Sequence, residues 1–268
     1  MFTRTHLAAA LAYGTLALST AAQAVTLDEL KKDGPFTIVS EKLAGSGYGS
    51  ATIHTPKTGG PYALVAVCPG FVSPESSIAQ ISKRLATHGF SVITIATTTL
   101  LDFPPSRASQ ILAALDAGVK VNTGNAAGKV DSSRLVASGW SMGGGGTLLA
   151  AAKTPRLKAA VAYAPWNTQN SPFKAITVPT MIFGATGDII APAKTHAITF
   201  YNAIPSTTKK ALAVLQGDNH FFPTTADDPV SYTNIAFNKR FADGNTEYGQ
   251  FIKNLDAKWA SYESTGPF

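Results

Sequence analysis

Residues 134–153 read "RLVASGWSMGGGGTLLAAAK", and the stretch changes character at its centre. "RLVAS" suits a buried strand and "TLLAAAK" a helix, so the glycines between them mark an abrupt strand-to-helix turn. Similar strand-like runs recur along the chain: "FTIVSEK" near 36, "SATIHT" near 50, "YALVAVC" near 62, "SVITIAT" near 91, "AAVAYA" near 159, "TMIFGA" near 180 and "KALAVLQG" near 210. From the third run onward helical patterns separate most of them, as in "SSIAQISKRLATHG", "PPSRASQILAALDAGVKVN" and "APAKTHAITFYNAI". Alternating strands and helices predict the α/β class, a mostly parallel sheet with helices on both faces. The first two or three strands, joined without helices, are expected to form an antiparallel edge. "GSGYGS" at 45–50 fits no phosphate-cradling pattern and reads as a turn between strands. The closing run "NTEYGQFIKNLDAKWASY" reads as an amphipathic helix.

Of the 268 residues, 45% are hydrophobic and 14% charged, enough for one well-packed core. Residues 25–268 are expected to form a single catalytic domain, with no repeat or long linker. Residues 1–24 read as an export signal: Arg4, then an apolar run, then Ala22, Gln23 and Ala24 as a small-x-small cleavage site. That run holds Gly14, Ser19 and Thr20 and is shorter than the roughly 20 residues a membrane span needs. A secreted protein, extracellular or periplasmic and with no membrane span, is therefore predicted. The net charge of +6 is spread thinly, so no nucleic-acid partner is expected. A single cysteine, Cys68, excludes an intramolecular disulfide and a multi-cysteine metal site.

The turn itself carries chemistry. "GWSMG" matches G-x-S-x-G, in which the glycines let a strand bend sharply and lift the serine out of the turn. Serine attacks only when a neighbouring base takes its proton. This type of turn expects the chain order serine, acid, histidine, with the last two in loops after later strands. Asp188 in "GATGDIIAP" and His220 in "GDNHFFP" meet that order, so Ser141, Asp188 and His220 form the candidate triad. Asp218 lies two residues before His220, too near to orient its ring, and Asp102 precedes the serine. His6 falls in the signal, His54 in an early strand, His88 at a helix end and His196 within a helix, where packing is the plainer role. Acyl transfer also needs N–H donors for the developing oxyanion, and the candidates are those of Met142 and of Phe71 in "CPGF".

Together with "SSIAQISKRLATHGFSVITI", "LKAAVAYAPW", "VPTMIF", "GDIIAP" and "RFADGNTEY", these motifs resemble the bacterial cutinase and poly(ethylene terephthalate) hydrolase family, polyesterases of the α/β-hydrolase fold. The resemblance implies the same triad, an oxyanion hole at Phe71 and Met142, and a substrate cleft that adds Trp166, Ile190 and Phe221. It also implies that His196 and Phe200 pack behind Trp166 and limit its swing, and that Trp140 replaces a histidine common in the family. Family members close the C-terminal region with a disulfide, and some bridge the acid and histidine loops. Ala185 and Asn219 stand where that second bridge would sit, which predicts a mobile catalytic edge.

Only residues 167–177 separate "LKAAVAYAPW" from "VPTMIF", too few for a lid. An uncovered serine in a shallow apolar groove favours a polymer segment over a small metabolite. The expected function is therefore a secreted serine esterase acting on polyesters, cutin-like, aliphatic or aromatic, through an acyl-enzyme. It would work as a monomer with an ester substrate as its partner, and with no metal or organic cofactor. The alternatives are an esterase of small soluble esters, like the dienelactone hydrolases, and a non-catalytic binding protein.

Overall fold

The computed structural model describes residues 24–226 and 228–268, so most of the predicted export signal lies outside the described residues. Among the described residues nine strands form one sheet: β1 Ile38–Lys42, β2 Ser50–Pro56, β3 Tyr62–Cys68, β4 Ser91–Ala96, β5 Val130–Trp140, β6 Leu157–Tyr163, β7 Thr180–Ala185, β8 Lys210–Leu215 and β9 Trp259–Ser264. Their spatial order is β1-β2-β4-β3-β5-β6-β7-β8-β9. The run from β4 through β3 to β8 is parallel. The antiparallel edge is built from β1, β2 and β4, because β2 pairs with β4 and not with its sequence neighbour β3.

Helices connect and cover the strands: α1 Leu27–Leu30, α2 Ala79–Thr87, α3 Pro104–Val119, α4 Met142–Lys153, α5 Ala197–Ala203 and α6 Val230–Phe241. Strand side chains alternate between two faces. Leu64, Ala66 and Cys68 of β3 pack with α3, α4 and α5, while Ala63, Val65 and Val67 pack with α1, α2 and α6. The sheet is thus sandwiched between two apolar layers, which is why its central strands read as continuous hydrophobic runs. No helix among the described residues is long and apolar enough to cross a membrane.

The closing run is not a helix. Residues Thr246–Phe251 make a short 3-10 turn, and residues Trp259–Ser264 form β9, which adds to β8 antiparallel. Trp259 is buried beside Phe183, their ring centroids 6.1 Å apart, and that anchor draws the segment onto the sheet edge. The helix that covers this face is α6, which sequence patterning did not resolve. Ser231, Thr233, Asn234 and Asn238 are buried on it with Tyr232, Ile235 and Phe237, so no polar stripe marks its outer side.

Cys68 is fully buried at the end of β3, and burial pushes its thiol pKa up to about 12. His54 of β2 is also buried, with Nδ1 2.7 Å from Ser40 Oγ and Nε2 3.3 Å from Thr94 Oγ1. Burial, then Lys83 and Lys42, push its pKa down to about 4 against the pull of Glu75. An unfolded histidine titrates near 6.5, so between about pH 6.5 and 4 the unfolded chain binds a proton that the folded chain does not. Stability falls as pH drops through that window, by about 3 kcal/mol in total at this site. His54→Gln is expected to flatten this part of the Tm–pH curve, and an unchanged slope would assign the acid sensitivity to other groups.

Candidate active site

β5 delivers Trp140 and Ser141 to the top of the sheet, and α4 begins at the next residue. Ser141 has φ 58° and ψ −121°, a left-handed conformation that side chains rarely adopt. The surroundings enforce it. Ser141 N–H donates to Tyr163 O at 2.9 Å, while Ser141 O accepts from Gly145 N–H at 2.9 Å and Trp166 N–H at 2.8 Å. The two motif glycines are needed for space: a Cβ at Gly139 would lie 2.5 Å from Gly143 O, and one at Gly143 would lie 2.5 Å from Pro69 O.

The three side chains expected from chain order form one hydrogen-bonded line. Ser141 Oγ is 2.8 Å from His220 Nε2, and His220 Nδ1 is 2.7 Å from Asp188 Oδ2. The other carboxylate oxygen, Oδ1, accepts from the N–H groups of Ile190 at 2.9 Å and Ala191 at 2.8 Å. Burial works to raise the Asp188 pKa, but the His220 hydrogen bond and these two N–H donors outweigh it and hold the carboxyl below its ordinary value. An ionised Asp188 fixes the proton on Nδ1, which leaves Nε2 free to accept from the serine hydroxyl. Trp140 Nε1 donates to His220 O at 2.9 Å, so the residue before the serine anchors the histidine's backbone. Asp218 engages differently: its carbonyl accepts from Gly187 N–H at 2.9 Å. Asp102 bonds Thr99 and Gln110.

The loops carrying Asp188 and His220 are stitched together without a disulfide. Besides the Gly187–Asp218 bond, Gly217 N–H donates to Thr186 Oγ1 at 2.8 Å. Phe221 N–H is held by Asn219 Oδ1 at 2.8 Å.

Both candidate oxyanion donors border the serine. Met142 opens α4, so its N–H has no partner within the helix. Phe71 follows Gly70, where a Cβ would stand 3.0 Å from Ser141 Cβ. A buried guanidinium that sequence reading overlooked secures this loop. Arg107 of α3 donates to Pro69 O at 3.0 Å, Leu100 O at 3.1 Å and Asp102 O at 2.6 Å. Val72 N–H also reaches Leu100 O at 2.9 Å, tying the Phe71 loop to residues 98–103.

Apolar side chains rim the serine, with Phe71, Ile190 and Phe221 exposed, Trp166 half-buried and Met142 buried. Phe221 packs its ring 5.6 Å from Trp140 and 5.8 Å from His220. His196 caps α5 from just outside it; its ring stacks 6.4 Å from Trp166 and meets Phe200 edge-on at 5.6 Å. Phe103, absent from the sequence-derived site, lies between Phe71 and Trp166, 6.5 and 6.3 Å from them. An aromatic residue just before Pro104-Pro105 is the signal the sequence holds for it. Among the described residues no group of three or more His, Cys, Asp or Glu could hold a metal ion.

Residues 22–265 match the family described as PET hydrolase-like. The chain is 43% identical over 243 residues to Cutinase 1 of Thermobifida cellulosilytica, covering 88% of this chain and 92% of that one. It is likewise 43% identical to a cutinase of Thermobifida fusca strain YX, covering 88% and 80%. With the bis(hydroxyethyl) terephthalate hydrolase of Streptomyces coelicolor it shares 42% identity over 224 residues, or 82% of this chain and 71% of that one. Likeness of this extent takes in every strand of the sheet and the loops that bring Ser141, Asp188 and His220 together, and the chain belongs to the PET hydrolase-like family.

Proposed function

We propose that the chain is an exported serine esterase that cleaves polyester bonds, with residues 25–268 as its one catalytic domain. The observation that carries this reading is the line Ser141–His220–Asp188, at 2.8 and 2.7 Å, ending beneath an exposed apolar rim. His220 takes the Ser141 proton as Oγ attacks the ester carbonyl, and the N–H groups of Phe71 and Met142 receive the developing oxyanion. The intermediate collapses, the C–O bond to the alcohol breaks, and His220 returns the proton to the leaving oxygen. Water then repeats the sequence on the acyl-enzyme and frees the acid and Ser141. Asp188 stays ionised and stabilises the imidazolium. An apolar rim without a lid supports a polymer segment as the substrate, and relatives named as cutinases and as a terephthalate-ester hydrolase support the same chemistry.

Incubated side by side with aromatic polyester film, aliphatic polyester and cutin, the protein is expected to release soluble products. An organophosphate is expected to label Ser141 one-to-one. Turnover of p-nitrophenyl butyrate with no release from any polymer would make it an esterase of small soluble esters. Absence of label at Ser141, with no turnover, would leave a binding protein.

A further inference from the structure

We propose that Phe103 is a specificity-determining residue that selects esters whose acyl group carries an aromatic ring, a role that rests on the esterase reading above. Phe103 occupies the N-cap position of α3, where its side chain makes no capping hydrogen bond. Ser, Thr, Asp or Asn would serve the helix better there. Nor does the ring serve the core, since Phe103 is 56% exposed.

What the ring does touch is the cleft. It lies 6.5 Å from Phe71 at an interplanar angle of 53° and 6.3 Å from Trp166 at 60°. Both neighbours border the nucleophile: Phe71 follows the glycine that abuts Ser141, and Trp166 N–H is bonded to Ser141 O. Phe103 therefore makes a third ring beside the place where a bound acyl group emerges from the serine. Tilted rings at these spacings attract one another and attract a further aromatic ring, whereas an alkyl chain gains only burial.

The wall is also preorganised. Asp102 and Leu100, the backbone just before Phe103, are gripped by the Arg107 guanidinium, which holds Pro69 as well. Thr99 N–H donates to Asp102 Oδ2 at 3.0 Å and closes the turn. A ring on a backbone held this way loses little freedom when a substrate arrives, so its contact energy appears in binding.

The test compares p-nitrophenyl benzoate with p-nitrophenyl butyrate, which share a leaving group and differ in the acyl part. For wild type, Phe103→Leu and Phe103→Tyr, the quantity read is the benzoate-to-butyrate ratio of kcat/KM. Phe103→Leu is expected to lower that ratio about tenfold, chiefly through KM for the benzoate, and Phe103→Tyr to hold it within about twofold. With so exposed a side chain, both variants are expected to melt within a few degrees of wild type. A ratio unchanged by Phe103→Leu, or lowered equally by both variants, overturns the role. If wild type hydrolyses neither ester, or Ser141→Ala hydrolyses both, the esterase reading itself falls and this role with it.

Discussion

Ser141→Ala is expected to lower kcat for p-nitrophenyl butyrate by about 10⁶-fold, to the level left by substrate binding and the oxyanion donors. In the proposed mechanism the hydroxyl supplies the bond-forming atom, and His220 and Asp188, hydrogen-bonded in line behind it, move its proton. Asp188→Asn is expected to cost about 10⁴-fold, because the amide no longer fixes the Nδ1 proton or balances the imidazolium. The fold should not register the serine change. Alanine meets the same φ of 58° that serine does, and among the described residues the side-chain partner removed is His220. Stopped assays on the purified variants, paired with melting curves, decide the matter: turnover within tenfold of wild type in a folded Ser141→Ala protein removes Ser141 from the chemistry.

Arg107→Leu is expected to produce the largest loss of stability among single changes near the site, about 3 to 5 kcal/mol. The guanidinium is fully buried, and its direct bonds go to three main-chain carbonyls and to no carboxylate. Removing it strands the oxygens of Pro69 and Asp102, each at about 1 to 3 kcal/mol when no water replaces the donor, and leaves Leu100 O with the Val72 N–H alone. For a chain of this length the melting temperature should drop by about 10 °C. Arg107→Lys should recover little, since an ammonium cannot present the planar fork that reaches all three. Activity should fall further than the melting curve accounts for, because the Pro69 carbonyl lies in the loop that presents Phe71. A melting temperature within 2 °C of wild type for Arg107→Leu would show that water substitutes fully for the guanidinium.

The parallel core of the sheet was legible in the sequence because its strands are apolar on both faces and its helices are amphipathic enough to separate them. Ser141, Asp188 and His220 were legible for a different reason: the elbow fixes where the serine stands, and strand ends fix where its partners can stand. Legibility failed wherever tertiary contact overrode local pattern. α6 buries Ser231, Thr233 and Asn234 beside its aromatic residues, so its period is erased. β9 was taken for part of a helix because its approach is rich in Lys, Asp and Asn, while Trp259 settles beside Phe183 across seventy-odd residues of chain. Nothing in the local pattern singles out Arg107 or Phe103. Arg107 reaches Pro69, and Phe103 meets Phe71 and Trp166, across more chain than a short window of sequence contains.

The lone thiol at the end of β3, sealed inside the protein and held protonated, has a consequence for how the molecule comes into being. With no disulfide to form, its folding needs no thiol oxidant and no disulfide isomerase. Made in a reducing cytosol or refolded in the presence of dithiothreitol, it should reach the same state at the same yield.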